Sequence, residues 1–257
     1  MEHSTQGTDI ANSTPETEVR VISLADAGQR RARFEMAAST SPLHWSFFDA
    51  IGGDAEEPPY DNSLAIRHTG RALLPGERGC YASHVAVWRQ FLQGRARQLI
   101  VLEDDVLVDW TYLAKLAEAD HAPAGRHYLR LFSKRPPRHT ILERNFLEPL
   151  RFLIEAFGLV YGTQGYLLTR EGAERMLAHC RIMSRPIDVE LDRPWAHGLP
   201  ILSVFPFPLI ELSQASTIGD QRRGVFATPL PYTDRARHKL SAWTERIRAF
   251  AYRIGIR

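Results

Sequence analysis

The chain alternates short apolar runs with amphipathic stretches over most of its length. The densest run is Leu99-Ile100-Val101-Leu102, whose lack of polar alternation predicts a strand buried on both faces. Val19 to Leu24 alternates before turning apolar and predicts a first strand. Trp45–Phe48 predicts a second, ending at Asp49 and leaving through Ala50-Ile51-Gly52-Gly53. Between them, Asp26 is the expected N-cap of a helix from Gln29 to Ala38, carrying Arg30, Arg31 and Arg33. The Pro-rich, polar stretch Glu56–Leu74 predicts a long loop. Pro75-Gly76-Glu77 then opens a helix to Gln93, with Val85, Trp88, Phe91 and Leu92 as its buried stripe and Gly94 as its stop.

Downstream, the pattern predicts a helix over Trp110–Ala119, a strand at Tyr128–Phe132 and a basic loop at Lys134–His139. Strands at Leu153–Tyr161 and Gly165–Leu168 meet around Gly162-Thr163-Gln164, and Thr169 caps a helix from Arg170 to His179. Pro186–Ile218 holds a second acidic cluster followed by an apolar run broken at Pro206 and Pro208. No internal repeat is present. Strands alternating with helices predict an α/β fold built on a mostly parallel sheet.

The 257 residues suffice for one domain with a sizeable core, and a net charge of +2 gives no reason to expect nucleic acid. Residues 1–18 are polar and lack the apolar core of a signal peptide, so a disordered extension is expected there. No window approaches the ~20 continuous apolar residues of a membrane span. Cys80 and Cys180 form no disulfide framework, and reduced thiols point to the cytoplasm.

The chemistry concentrates where the apolar run ends, at Glu103-Asp104-Asp105. Three adjacent carboxylates at a strand terminus repel one another and pay for desolvation, so core folding does not call for them. Mg²⁺ or Mn²⁺ removes the conflict, because hard cations take oxygen ligands and bridge carboxylates to phosphates. In open α/β sheets ligands bind just beyond strand carboxyl ends. A metal–diphosphate site is the reading these facts support, against the plainer one of a solvated acidic turn.

Several segments occur together in a recognisable order: Val21-Ile22-Ser23-Leu24 with Arg30, Phe48-Asp49-Ala50, Leu74 to Cys80, Ser83-His84, Ile100–Val106, Gly165 to Leu168 and Pro186-Ile187-Asp188. Across roughly Val19–Ile218 this order resembles glycosyltransferase family 25, which includes bacterial lipooligosaccharide galactosyltransferases and the catalytic domain of collagen galactosyltransferases. The family usually carries Asn where this chain has Ser23.

The resemblance implies a GT-A-like fold over residues 19–234, a UDP-sugar donor such as UDP-galactose, and Mn²⁺ or Mg²⁺. Glu103-Asp104-Asp105 would stand in for an Asp-x-Asp motif. Glu103 and Asp105 are the metal candidates, with Asp105 the direct ligand, and Glu103 or Asp104 would hold a metal-bound water or the donor ribose. Inversion is the implied outcome and needs a base for the acceptor hydroxyl. Asp188 is preferred because it lies at the family's second acidic motif, with Glu190 and Asp192 as alternates; a surface turn pairing with Arg185 and Arg193 is the plain alternative.

Ser23, Leu24, Arg30, Asp49, Ser83, His84 and Gln164 complete the expected donor-side set, each with an ordinary structural role as its alternative. Gln164 and Tyr166 lie where family members shape the acceptor side, while Gln214, Ser216 and Thr217 are weaker candidates for closing the pocket. A nucleotidyltransferase is disfavoured by the lack of a Gly-rich, Lys-containing loop near the first strand. A non-catalytic glycan-binding or scaffold protein remains the alternative from another class.

Residues 235–257 differ in character. Leu240, Trp243, Ile247, Phe250 and Ile254 form one helical stripe, flanked by Arg235, Arg237, Lys239, Arg246, Arg248, Arg253 and Arg257. Such a basic amphipathic helix fits an anionic membrane surface. It would place the protein on the inner face of the cytoplasmic membrane, near a lipid-linked glycan acceptor. The plain alternative is a helix docked on its own domain.

Overall fold

The computed structural model describes residues 17–135, 137–212 and 231–255. The expected polar extension at 1–18 falls almost entirely outside these ranges, as do Gln214, Ser216 and Thr217.

In chain order, β1 (Thr17–Ser23) leads to α1 (Gly28–Ala37), β2 (Ser46–Asp49), α2 (Asn62–Thr69), α3 (Pro75–Gln93) and β3 (Gln98–Glu103). Then come β4 (Val106–Val108), α4 (Trp110–Glu118), β5 (Tyr128–Arg130), β6 (Arg138–Arg144) and β7 (Phe152–Phe157). The order continues with β8 (Gly165–Thr169), α5 (Arg170–His179), α6 (Ile187–Leu191), α7 (Pro194–His197), β9 (Leu202–Phe205), β10 (Leu209–Glu211) and α8 (Tyr232–Arg253).

An eight-stranded sheet runs β2-β1-β3-β8-β5-β9-β7-β6, while β4 and β10 pair separately. Six of its strands share one direction, and β7 and β8 run against them. The expected α/β architecture with a helix-flanked, mostly parallel sheet is therefore present.

The apolar run at 99–102 is covered on both faces. Leu99 and Val101 pack with Val85, Trp88 and Phe91, whereas Ile100 and Leu102 pack with Phe34, Leu113 and Leu116. Successive strand side chains point to opposite faces, so a strand between two helical layers needs apolar residues at every position. Trp88 and Phe91 are fully buried from α3, as its stripe requires; Leu92 is half-buried against the same cluster. The start of α3 is fixed by Glu77, whose Oε2 accepts from the Leu74 N–H at 3.0 Å while Arg71 grips the carboxylate with two 2.7 Å contacts.

Four local expectations need correction. Asp26 does not cap α1: Ala27 occupies the N-cap, and a backbone turn from Ala27 N–H to Leu24 O, at 3.1 Å, sets the entry. The expected loop Glu56–Leu74 contains α2, capped by Asp61 and stopped by left-handed Gly70. The expected basic loop runs into β6, an edge strand whose exposed Arg138-His139-Thr140 start hides it from an apolar reading. The expected strand Leu153–Tyr161 ends as β7 at Phe157, before left-handed Gly158 and Tyr161.

Helix α8 packs against α2 and α7 through its polar side. Glu245 receives Arg193 Nε at 2.8 Å, Arg193 Nη2 at 2.9 Å and Trp195 Nε1 at 3.2 Å, and His238 Nδ1 lies 3.2 Å from Arg67 O. The stripe Leu240, Trp243, Ile247, Phe250 and Ile254 stays exposed, Trp243 at 60 %. Among the described residues no helix is long and apolar enough to cross a membrane.

Candidate functional site

The ends of β1 and β3 reach the same edge of the sheet as the beginning of β8, because β8 is antiparallel to β3 with Leu102 opposite Gly165. A cleft of about 790 Å³ opens there. It is lined by Ser23, Leu24 and Arg30, by the turn Ala50–Gly53, by the first turns of α3, and by Glu103-Asp104-Asp105. Lys134, Arg135, Tyr161–Gln164, Asp188 and Glu211 line it as well.

Close packing of the 50–53 turn on α3 forms one wall. A Cβ on Gly79 would lie 2.6 Å from Ile51 O, and one on Gly53 2.4 Å from Pro75 O, so both positions demand glycine. Ser83 ties the wall together: its Oγ accepts from Ile51 N–H at 2.8 Å and donates to Gly79 O at 2.7 Å. Both interactions are internal, so Ser83 shapes the wall.

The three carboxylates differ sharply. Asp104, only 5 % exposed, accepts from Ser23 Oγ at 2.5 Å and has Arg30 Nε at 3.4 Å. Burial raises its pKa, and Ser23 and Arg30 offset only part of the rise. Glu103 accepts from the Thr163 hydroxyl and lies 3.8 Å from His84 Nε2. Burial pushes its pKa up, but His84, Thr163 and Lys134 together hold it below the usual carboxylate value. Asp105 has no such relief. Burial, followed by the charges of Glu103, Asp104 and Glu211, pushes its carboxyl up to about 7 against a weak pull from Arg30. Its buried Oδ1 has no hydrogen-bond partner among the described residues.

This arrangement fits a hard divalent cation at Asp105. An unpartnered buried carboxylate oxygen in a surplus of negative charge is what an added positive charge stabilises.

Behind the acidic turn, His84 is fully buried. Its Nδ1 lies 2.7 Å from Tyr166 Oη, and that oxygen accepts from Trp88 Nε1 at 2.8 Å. Cys80, one helical turn before His84, faces the same point. Among the described residues, Cys80, His84 and Glu103 form a group whose ligand atoms all lie within 4.8 Å of one another.

Of the candidate bases, Asp188 alone lines the cleft. Glu190 lies outside the cleft lining: it is 3 % exposed, held by His179 Nε2 at 2.7 Å and Arg193 Nη1 at 2.6 Å, with Arg185 at 3.4 Å. Asp192 is fully buried, accepting from the N–H groups of Val160 and Tyr161 at 2.7 Å beside Arg130. Asp49 is not among the residues lining the cleft and pairs with Arg31 at 2.5 Å. Gln164 does line the cleft, donating to Glu211 Oε1 at 2.7 Å.

Lys134, Arg135, Thr163 and Glu211 are cleft residues that the pattern did not single out. Lys134 Nζ sits 3.3 Å from Glu211 Oε1. The available signal was position: the Lys-Arg pair follows β5 just as the acidic turn follows β3.

Comparison with known proteins decides the ancestry. The profile of glycosyltransferase family 25 (LPS biosynthesis protein) matches residues 16–191. The chain belongs to glycosyltransferase family 25. It is 29 % identical over 175 residues to a probable inactive glycosyltransferase 25 family member 3 from Bos taurus, covering 63 % of this chain and 28 % of that one. To the lipooligosaccharide biosynthesis protein lic2B of Haemophilus influenzae it is 25 % identical over 177 residues, 64 % of either chain. To human procollagen galactosyltransferase 2 it is 25 % identical over 170 residues, 62 % of this chain and 27 % of that one. The match thus spans only 28 % of the cattle relative's length, and in every case leaves part of the relative uncovered.

Proposed function

We propose that this family member transfers a hexose, galactose being the first candidate, from a UDP-sugar to a glycan acceptor of the lipooligosaccharide type, with inversion. The observation that carries the reading is the buried, unpartnered Oδ1 of Asp105 in a cleft also lined by Arg30, Lys134, Arg135 and Asp188. Mn²⁺ or Mg²⁺ held by Asp105, with Glu103 beside it, would supply the charge that a departing diphosphate needs. Ser23 and Arg30 hold Asp104 at the turn, so Asp105 would be the carboxylate to hold the cation. Lys134 and Arg135 add cationic side chains to the diphosphate region. Asp188, which also lines the cleft, takes the proton from the acceptor hydroxyl as it attacks the anomeric carbon.

The exposed stripe of α8, bordered by Arg246 and Arg248, would rest on an anionic membrane surface and hold the cleft near a lipid-linked acceptor.

Calorimetric titration with UDP and UDP-galactose, in Mn²⁺ and then in EDTA, tests the donor site. Metal-dependent binding that Asp105→Ala abolishes is the expected result. Relatives whose names mark them inactive support a second reading, a non-catalytic glycan binder. Absence of nucleotide binding under both conditions would favour it.

A further inference from the structure

We propose that Cys80 Sγ, His84 Nε2 and a Glu103 carboxylate oxygen form a second metal site in the cleft wall, suited to a borderline ion such as Zn²⁺. Their ligand atoms lie within 4.8 Å of one another. Cys80 and His84 are four residues apart on α3, so they project from one helix face toward the end of β3.

The independent pointer is the imidazole. His84 is fully buried, and its Nε2 has no hydrogen-bond partner among the described residues. At 3.8 Å, Glu103 Oε1 is too far to satisfy Nε2 in either tautomer. The opposite nitrogen, Nδ1, is engaged by Tyr166 Oη at 2.7 Å, and Trp88 Nε1 donates to the same phenol at 2.8 Å. In the tautomer whose proton sits on Nδ1, the Nε2 lone pair faces Cys80 and Glu103. An outer partner on the far ring nitrogen is what metal-bound histidines ordinarily have.

The donor set also separates this position from the one at Asp105. Thiolate and imidazole suit Zn²⁺ or Co²⁺, while Mn²⁺ and Mg²⁺ prefer all-oxygen surroundings. Three protein ligands would leave one tetrahedral position for a water or other ligand, and all three residues line the cleft. Binding converts the thiol to a thiolate and releases its proton to solvent, so uptake strengthens as pH rises.

The inference shares Glu103 with the donor-cation reading but does not depend on transferase activity. The full chain is titrated with Co²⁺ as a spectroscopic probe, then with Zn²⁺ in competition. The expected result is the intense visible bands of four-coordinate Co²⁺ with a near-ultraviolet thiolate-to-cobalt band, both erased by Zn²⁺. Cys80→Ser should remove the thiolate band and weaken Co²⁺ binding by more than roughly tenfold, with circular dichroism confirming the fold. Asp105→Asn should keep the thiolate band, although it should lose Mn²⁺-dependent UDP binding. Zinc-edge X-ray absorption on the unmodified protein gives a variant-free check, with a sulfur neighbour expected at about 2.3 Å. Absence of the thiolate band and of a sulfur neighbour overturns the proposal. So does loss of the band in Asp105→Asn, which would assign the ion to the acidic turn.

Discussion

Ser23 Oγ lies 2.5 Å from Asp104 Oδ2, joining the end of β1 to the turn after β3. Arg31 Nε approaches the same hydroxyl at 3.2 Å, so one serine links two strand ends and the first helix. Ser23→Ala leaves a buried carboxylate without its donor and should cost about 1–3 kcal/mol. Urea unfolding measures this, and an unchanged midpoint would deny the hydroxyl its role. Ser23→Asn, which installs the residue the family usually carries, should recover part of the loss.

Asp188 and Glu190 are two residues apart but should respond oppositely to amide substitution. Asp188→Asn should lower kcat by about 10²–10⁴-fold with stability unchanged, as expected when a general base is removed. Glu190→Gln should cost about 3 kcal/mol, because Arg185 and Arg193 lose a buried counter-charge. Measuring initial rates and thermal midpoints on both variants separates the roles. A kinetic defect confined to Glu190→Gln would reverse the assignment.

Acid stability follows from Glu190. Burial pushes its carboxyl up, but the His179 hydrogen bond and the charges of Arg193 and Arg185 outweigh burial and hold it at about 2. A pKa depressed in the folded state contributes stability that is complete above the ordinary value of about 4.5 and fades as pH falls toward 2. The contribution at neutral pH is on the order of 3 kcal/mol. Asp192 works the other way. Burial raises it to about 6 despite Arg130 and two backbone donors, so its ionisation subtracts stability as pH climbs from about 4 to 6. Denaturant midpoints between pH 2 and 7 should therefore show an acid loss below 4.5 that Glu190→Gln largely lacks. Parallel curves for the two proteins would contradict this account.

Trp243→Ala and Phe250→Ala should each weaken binding to anionic vesicles about 10- to 100-fold, since burying a large apolar side chain is worth roughly 1.5–3 kcal/mol. Vesicle co-sedimentation at fixed ionic strength reads this directly. Identical partitioning of the native chain and both variants would remove the membrane from the proposal.

The central architecture was legible because its cause is local. An unbroken apolar run such as 99–102 has one economical environment, and the Trp88–Phe91 stripe has one face to bury. The small elements were less legible. Helix α2 did carry its signals, Asp61 before it and Gly70 after it, but they were masked by Pro58, Pro59 and the polar stretch around them. Strand β6 is an edge strand with charged and polar residues at most positions, so no periodicity announces it. At the site, adjacency in sequence misled. Asp188, Glu190 and Asp192 look interchangeable in one dimension, yet the short α6 turns the first toward the cleft and buries the others among arginines. Lys134 and Glu211 meet only because distant loops return to one edge of the sheet.

The single carboxylate of Glu245 makes the tail non-modular. It answers Arg193 and Arg185, which flank the segment carrying Asp188, so cutting the helix away would strip charge balance from the cleft's own border. A truncation therefore confounds two losses, whereas stripe substitutions such as Trp243→Ala isolate one. The same coupling constrains descent: a family member exchanging this helix for another anchor must bring an acid to the same place, or give up one of the two arginines.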